Sequence, residues 1–361
     1  MIRRAALAGL TMALAWPVAA FAQTGWGIGV QHNGAIVFCD RERSTVWRIE
    51  AGGHRSAVLS GVTCRAVITA PDGSVDGETT PSDFTATRGV GLWQVDAAGA
   101  VRWLMPPTLT PAPDEGLVRD ALGRMYSWTG KGAGSARSEI QRRDVTGTTM
   151  VVAGAEWGQR DGIGLSALFG NIAGFALAPD GSIVVADSGN IRRVSRLQVV
   201  ETEARGVVTD SRAGLVGISG LWGRELGVAT DVTGAGVVVD PEAGRIVRVD
   251  RSGRVTPIWE PAGFAQRVSG GRWGWRPAGV AMMGRTYYVL DEWMGPALIA
   301  DLIGSPRLSQ VDSDGRVTRI ASAPDWTVRC ATGALGLIAA SLIWAGRRQG
   351  QRAEGRGQRR G

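Results

Sequence analysis

Residues 154–194 read GAEWGQRDGIGLSALFGNIAGFALAPDGSIVVADSGNIRRV. The second half of this stretch contains two short apolar and β-branched runs, residues 175–178 and 183–186, joined by a Pro-Asp-Gly turn and closed by Asp187. A third run of this kind begins at Ile191. Short strands separated by Gly and Asp turns are typical of an antiparallel meander. The stretch therefore predicts consecutive β-hairpins.

The same stretch closely resembles the NHL repeat, which forms one blade of a β-propeller. The residues that carry the resemblance are Asp161-Gly162, Ala167, Phe169, Asp180-Gly181, Val185-Ala186-Asp187-Ser188 and Asn190-Ile191-Arg192. The resemblance is specific over residues 154–194 and generic elsewhere. It implies that this stretch is one blade of a ring of similar units.

Three markers of such a unit recur along the chain: an apolar inner strand, a second strand ending in an acidic residue, and a hairpin of the form Val-Asp-x-x-Gly. The inner strands are predicted to start near Ile28, Val67, Leu117, Phe175, Val228 and Val280. The clearest hairpins contain Asp96, Asp250 and Asp312. Repeats of this length indicate a propeller or a solenoid. We predict an all-β fold, a six-bladed β-propeller of four-stranded antiparallel blades over residues 23–326.

Two features of the propeller are left to the structure. The ring could close by a shared strand or by two complete terminal blades. Insertions between the markers are predicted to be loops, the places where function tends to lie; they cover residues 76–89, 106–114, 195–220 and 293–305.

Residues 1–22 are predicted to be a secretory signal peptide. Arg3 and Arg4 precede an apolar run, and Ala20-Phe21-Ala22 has the pattern of a cleavage site. A retained N-terminal anchor is the alternative.

Residues 327–346 are predicted to form one C-terminal transmembrane helix, because residues 331–345 carry no charge and the run is just long enough to cross a bilayer. The basic tail, residues 347–361, then lies in the cytoplasm by the positive-inside rule. The prediction is an exported bacterial protein with a single membrane anchor and its propeller in the periplasm or on the cell surface. A core or amphipathic helix and a cleaved sorting signal are the alternatives.

The formal net charge of +7 is concentrated at the two ends of the chain. The leader carries two arginines, and the tail carries six arginines against one glutamate. These two segments account for the whole excess, so the residues between them are neutral. The basicity therefore reflects export and topology, and we predict no nucleic-acid binding.

The cysteines predict a disulfide between the first two blades. The end of a second strand and the start of the next blade's inner strand lie on one face of a propeller, and Cys39 and Cys64 occupy these two places. Cys330 lies at the predicted membrane boundary, and this usage fits an oxidising compartment. With His32 and His54 as the only histidines, a histidine-rich zinc site is excluded.

A candidate ligand-binding face is suggested by Trp-Gly units that precede inner strands. If these units lie on the connections between blades, they share one face around the central channel, and Trp and Arg are frequent at binding hot spots. The predicted face comprises Trp157, Arg160, Asp161, Trp222, Arg224, Glu225, Trp273, Trp275 and Arg276. The alternative is that the tryptophans wedge between adjacent blades.

The aspartates that end the second strands raise the question of a metal site: Asp40, Asp187, Asp240 and Asp291. An aspartate at a turn binds neighbouring backbone N–H groups, and this structural role explains the recurrence. No metal site and no cofactor are predicted.

Two functions remain as hypotheses. The first is a membrane-tethered propeller that acts as a binding scaffold for a protein, peptide or glycan through its loop face, with the membrane as a second partner through the C-terminal helix. The second follows from the resemblance, because similar propellers include gluconolactonase-like hydrolases, strictosidine-synthase-like proteins and the amidating lyase. It is a metal-dependent hydrolase or lyase with calcium or another divalent metal in the channel and Asp161 or Glu225 nearby. The sequence contains no catalytic motif that favours this second hypothesis.

Overall fold

The computed structural model describes residues 27–31, 33–40, 43–70, 72–79, 91–106, 114–120, 122–129, 137–208, 227–241, 243–259, 274–294, 306–313 and 315–321. The predicted signal peptide, the predicted transmembrane segment and the basic tail lie outside these residues. Within the described ranges, no helix is long and apolar enough to cross a bilayer.

The described residues form six antiparallel sheets, each built from consecutive strands. Blade 1 contains β1 (Ile28–Val30), β2 (Ile36–Asp40), β3 (Thr45–Ile49) and β4 (Arg55–Ser60). Blade 2 contains β5 (Cys64–Thr69), β6 (Val75–Thr79), β7 (Gly91–Val95) and β8 (Val101–Met105). Blade 3 contains β9 (Asp114–Arg119), β10 (Met125–Thr129), β11 (Arg137–Arg143) and β12 (Thr149–Glu156). Blade 4 contains β13 (Gly162–Ile163), β14 (Ile172–Leu177), β15 (Ile183–Asp187), β16 (Asn190–Val194) and β17 (Val199–Ala204). Blade 5 contains β18 (Val228–Thr230), β19 (Gly236–Asp240), β20 (Arg245–Val249) and β21 (Val255–Trp259). Blade 6 contains β22 (Gly274–Met283), β23 (Thr286–Met294), β24 (Arg307–Val311) and β25 (Val317–Ala321).

Each blade has two ends, which define two faces of the ring. The turn between the second and third strands and the connection to the next blade lie at one end, here called the upper face. The other two turns of each blade lie at the lower face. This assignment follows from the antiparallel pairing of consecutive strands.

The hairpin marker forms the lower turn between the third and fourth strands, as predicted. In blade 2, the backbone N–H of Gly99 donates to the carbonyl of Asp96 (3.0 Å), and the Asp96 side chain accepts from the N–H of Ala100 (2.8 Å). Gly99 has φ of +91°, a conformation that L-residues avoid. The aspartates of this marker are therefore turn residues, because their side chains bind backbone N–H groups inside the turn.

The ring closes by packing two complete terminal blades against each other. Every inner strand contacts the next one around the ring, and β22 contacts β1. Ile36 and Phe38 of blade 1 share a buried apolar cluster with Leu290 and Leu308 of blade 6. The described residues show no strand shared between the first and last blades, which answers the question that the sequence left open.

Among the described side chains, five of the six blade interfaces contain a buried apolar cluster. Among the side chains that are described, the contacts between blades 2 and 3 are polar. Asp76 is fully buried there and accepts from Gln94 (2.6 Å), while Arg119 of blade 3 places its Nε 2.7 Å from the Asp76 carboxylate. The same arginine donates to the hydroxyl of Ser74 (2.7 Å). A buried charge pair thus joins blades 2 and 3.

All four predicted loops overlap strands, the loop 106–114 only at Asp114, the first residue of β9. Residues 199–204, inside the predicted loop 195–220, form β17, the fourth strand of blade 4. The lower turn before β17 has Gln198 where the equivalent turns of the other blades have glycine, so it lacks the hairpin marker. The predicted loops 76–89 and 293–305 begin inside strands β6 and β23. Blade 4 also gains a short fifth strand, β13, which pairs with the outer edge of β17.

Candidate functional site

The connection from blade 3 to blade 4 contains three members of the predicted binding face, Trp157, Arg160 and Asp161. After β12, the chain forms a hooked loop, residues 157–169, before it enters β14. Gly158 donates to the carbonyl of Phe169 (2.9 Å), and Arg160 and Leu168 exchange two backbone hydrogen bonds of 3.1 and 2.9 Å. Between these pairs the chain runs along β17 as β13 and turns back through a 3₁₀ turn, Gly164–Ser166. The hooked loop is thus a small hairpin attached to the outer edge of the blade.

Arg192 fastens this loop to the blade from inside. Its side chain is 2% exposed and its guanidinium lies 4.7 Å from the centre of the Phe169 ring. One terminal nitrogen donates to the carbonyl of Leu168 (2.6 Å) and to Asp187 (2.9 Å). The other donates to the carbonyl of Arg160 (2.8 Å) and to Asp161 (2.9 Å). A single guanidinium therefore joins β15 to both strands of the hooked loop.

Asp161 is occupied by this framework. Its carboxylate accepts from Arg192 and from the N–H and hydroxyl of Thr202 at 3.0 and 2.9 Å. Burial raises the pKa of Asp161, but the hydrogen bonds from Thr202 and Arg192 lower it more, so that its pKa lies below its ordinary value. A carboxylate held ionised by three donors is suited to fastening the loop rather than to accepting a proton from a substrate.

Asp187 forms the inner end of the same network. It is fully buried, and burial raises its pKa while the Arg192 guanidinium opposes that shift. The related aspartates at the ends of the second strands also bind neighbouring groups. Asp40 accepts from the N–H of Arg43 (3.2 Å) and from the Trp47 indole (3.2 Å), and Asp240 accepts from the N–H of Ala243 (3.1 Å). Turn and strand-end hydrogen bonds therefore account for Asp40, Asp187 and Asp240, whereas one carboxylate oxygen of Asp291 has no hydrogen-bond partner.

Exposed groups surround the hooked loop on the upper face. Trp157 is 46% exposed at the point where the chain leaves β12. Arg160 and Arg205 are exposed, and neither forms an ion pair with another described residue. A small polar depression of about 30 Å³ lies among Gln159, Arg160, Asp161, Asn190, Arg192, Thr202 and Arg205. Arg160 donates from its Nε to the carbonyl of Ser166 (3.0 Å). The surface therefore combines one exposed aromatic ring with two exposed guanidinium groups.

The side chains of the other predicted members of the binding face lie outside the described part of the chain. Trp222, Arg224, Glu225 and Trp273 lie outside the described residues. Trp275 and Arg276 lie in β22, but their side chains are outside the described part. Trp157, Arg160 and Asp161 are therefore the three members whose side chains are described; all three are exposed, and Asp161 is also bound to Arg192.

The described residues contain no group of three or more His, Cys, Asp or Glu side chains placed to hold a metal ion. The predicted disulfide partners do meet: Cys39 and Cys64 are bonded, with their Cα atoms 5.4 Å apart, and join the upper ends of blades 1 and 2. Both residues are buried within the apolar cluster of that interface.

Sequence reasoning missed the central role of Arg192. Its residue type was visible in the Asn190-Ile191-Arg192 motif, but nothing in the sequence says which carbonyl and carboxylate groups surround it. Those groups come from residues 160–168, which are distant in the chain and arrive only when the hooked loop folds back. The same limit applies to Arg193, which reaches blade 5 by donating to the carbonyl of Gly234 (2.7 Å).

No family model matches the chain, and no curated protein matches it. Solved structures do match. A Bacteroides thetaiotaomicron structural-genomics protein of unknown function is 14% identical with a TM-score of 0.51, covering 75% of this chain and 67% of that chain. Puromycin hydrolase is 16% identical with a TM-score of 0.50, covering 84% of this chain and 54% of its own. Virginiamycin B lyase from Staphylococcus aureus is 13% identical with a TM-score of 0.46, covering 82% and 84%.

The protein is a six-bladed β-propeller. Its sheet order and ring closure establish this, and the two neighbours with TM-scores of 0.51 and 0.50 are similar to it in fold. At these identities, similarity to the neighbours concerns the fold, and their activities are not transferred to this propeller.

Proposed function

We propose that this propeller is a binding protein whose upper face at blade 4 captures an acidic peptide, protein segment or glycan. The observation that carries the proposal is Trp157, which is 46% exposed on a loop that Arg192 holds rigidly from below. An exposed aromatic ring on a fixed backbone loses little conformational freedom when a ligand stacks on it.

The charges around Trp157 indicate the chemistry of the ligand. Arg160 and Arg205 are exposed and have no ion-pair partner within the described part of the chain, whereas Asp161 is bound by Arg192 and Thr202. Arg160 and Arg205 therefore place two positive charges on this surface, and the charge of the half-exposed Asp161 is offset by Arg192. Guanidinium groups bind carboxylate, sulfate or phosphate groups through two parallel hydrogen bonds. An acidic side chain or an acidic sugar beside an apolar or sugar ring fits this combination.

The cellular setting of the proposal rests on the sequence. A cleaved signal peptide and a C-terminal anchor would place the propeller outside the cytoplasm and tether it to the membrane, where peptides and glycans of the cell envelope are available. Protease treatment of intact spheroplasts tests this part: we expect the propeller to be digested while the basic tail is protected. Protection of the propeller would contradict it.

Binding is tested with arrays of acidic and neutral peptides and glycans, probed with the full chain. We expect Trp157→Ala to weaken binding of the acidic ligands by roughly tenfold or more, because aromatic hot spots contribute at least this much. Arg160→Ala combined with Arg205→Ala should reduce binding and its dependence on salt.

The chain offers matched controls. Trp103 is 44% exposed on the outer strand of blade 2, and Arg254 is exposed in a lower turn of blade 5. Trp103→Ala and Arg254→Ala should leave binding unchanged. Equal losses in the test and control variants would contradict a site at blade 4. A stoichiometric divalent metal in the purified protein, with hydrolysis of lactone or ester substrates, would favour the metal-dependent hydrolase or lyase instead.

A further inference from the structure

A cleft of about 410 Å³ lies between blades 6 and 1, beside the lower face. One wall comes from the lower turns of blade 1, with Asn33, Gly34 and Glu50. The other wall comes from blade 6, with Tyr288, Gln310 and Ile320. Its size is within the range of small-molecule sites, and its lining is part polar and part apolar.

The equivalent space between blades 4 and 5 is filled by an arginine of the protein itself. Arg193 donates from one terminal nitrogen to the carbonyl of Gly234 on the next blade (2.7 Å) and from the other to the hydroxyl of Ser182 (2.7 Å). It also forms an ion pair with Glu203. The guanidinium is thus held between two blades by a turn carbonyl, a hydroxyl and a carboxylate.

Strand register shows that the two spaces correspond. Arg193 pairs with Val184 on β15, and Gln310 pairs with Tyr288 on β23. Val184 lies three residues before Asp187, the last residue of β15. Tyr288 lies three residues before Asp291, the corresponding aspartate of β23. Gln310 therefore takes the place of Arg193 in blade 6.

The neighbouring positions correspond as well. Glu203 lies at the register shift in the fourth strand of blade 4, and Ile320 lies at the same shift in blade 6. Gly234 and Gly34 close the same kind of lower turn in blades 5 and 1, with φ of +80° and +85°. A shorter amide and an apolar side chain therefore replace the ion pair of blade 4, and the space is left as a cleft.

The cleft retains groups that bind a planar cation. Glu50 forms no ion pair with any other described residue, and it lines the wall formed by blade 1. The Tyr288 side chain lies on the opposite wall, and Gln310 uses its amide nitrogen to donate to Asp312 (3.0 Å), which leaves its carbonyl oxygen as an acceptor. A carboxylate, an aromatic ring and an amide oxygen together favour a guanidinium over an anion.

We propose that this cleft binds a guanidinium group from outside the propeller, in the position that Arg193 fills between blades 4 and 5. The group could belong to a free guanidino compound or to an arginine side chain of a peptide, since both present the same planar donors. This site is separate from the proposed acidic-ligand surface, which lies on the upper face of blade 4.

Calorimetric titration of the full chain tests the proposal with three probes: L-argininamide, the peptide acetyl-Gly-Arg-Gly-amide and L-lysinamide. We expect the two guanidino probes to bind and the amine probe to bind at least several-fold more weakly, because an ammonium lacks the planar donors. Tighter binding of argininamide would identify a small molecule as the source, and tighter binding of the peptide would identify an arginine side chain. No binding of either guanidino probe at millimolar concentration would overturn the proposal.

Two variants locate the site. Glu50→Gln should weaken guanidinium binding by roughly tenfold, since it removes the charge-assisted hydrogen bond; Glu201→Gln, an exposed glutamate on blade 4, is the matched control and should bind normally. Gln310→Arg combined with Ile320→Glu rebuilds the ion pair of blade 4 inside the cleft and should abolish binding. Normal binding by Glu50→Gln would place the guanidinium elsewhere and reject this cleft, whether or not the double variant folds.

Discussion

Arg192 shows how much of this structure depends on one side chain. It is the only link described here that joins β15 to both strands of the hooked loop, and it neutralises Asp187, which is fully buried. Removing one partner of a buried charge pair leaves the other charge without compensation, and that loss is larger than the net value of the pair.

We therefore expect Arg192→Ala to lower the free energy of unfolding by about 3 to 5 kcal/mol. Urea denaturation monitored by circular dichroism measures the change. Arg254→Ala, an exposed arginine of blade 5 without a described ion pair, should change stability by less than about 0.5 kcal/mol. Similar losses in both variants would show that the network around Arg192 contributes little.

Asp291 makes stability depend on pH. It is 5% exposed, and one of its carboxylate oxygens has no hydrogen-bond partner. Burial raises the pKa of Asp291 to about 7, although Arg307 and Arg319 act in the opposite direction. An unfolded aspartate has a pKa of about 3.9, so the folded protein keeps this proton to higher pH than the unfolded chain does.

The sign of the effect follows from this difference. The stability contributed by neutral Asp291 is complete below about pH 4 and is lost as the pH rises to about 7. We expect wild type to lose roughly 3 kcal/mol across this range relative to Asp291→Asn, whose side chain does not titrate. Urea denaturation of both proteins between pH 4 and pH 8 measures the difference. A constant difference across this range would mean that Asp291 does not hold its proton in the folded state.

At the scale of single elements, the lower turn of blade 4 departs from the other blades. Gln198 has φ of +64°, at the position where the equivalent turns have glycine with φ between +77° and +91°. A left-handed backbone costs an L-residue such as Gln198 about 1 to 2 kcal/mol. Glycine does not have this cost but loses more backbone freedom on folding, so the net advantage of glycine is smaller than this.

Gln198→Gly is therefore expected to stabilise the protein by about 0.5 to 1 kcal/mol. The reverse exchange, Gly99→Gln, is the natural comparison, because a side chain at Gly99 meets no atom within 4 Å and the change tests backbone conformation alone. It should destabilise by a similar or larger amount. Thermal denaturation of the two variants decides the matter, and destabilisation by Gln198→Gly would contradict the backbone explanation.

The same turn shows what the sequence could predict at this scale. Val-Asp-x-x-Gly placed the hairpins at Asp96 and Asp250, because aspartate and glycine are required by the local turn geometry. β17 was missed because Gln198 replaces that glycine, and β13 was missed because its pairing with β17 depends on a distant strand. Turn geometry depends on neighbouring residues and can be predicted from the sequence. The surroundings of Arg192 and the cleft beside Gln310 cannot, because they form from segments that meet only in the folded ring.

At the scale of the whole molecule, the described residues show a ring without an exchanged strand. Blades 1 and 2 are joined by the chain and by the Cys39–Cys64 disulfide. Blades 6 and 1 meet through side-chain packing and leave the 410 Å³ cleft beside the lower face. The closing interface therefore lacks the chain connection that joins the other neighbouring blades, and we expect it to open before them.

Hydrogen–deuterium exchange with mass spectrometry tests this expectation. Backbone amides of β1, β24 and β25 should exchange faster than those of β14, β15 and β16, whose blade is reinforced by the hooked loop and Arg192. An arginine-containing probe bound in the cleft should slow exchange in β1 and β24 selectively. Uniform exchange around the ring would mean that the propeller opens as a single unit.

The complete terminal blades also bear on how the molecule is made. A propeller that exchanges a strand must wait for its last residues before its first blade is finished. Here each described sheet consists of consecutive strands, so each blade can fold as soon as its own segment has been synthesised. The ring then assembles in the direction of synthesis, and only the final contact between the first and last blades requires the whole chain.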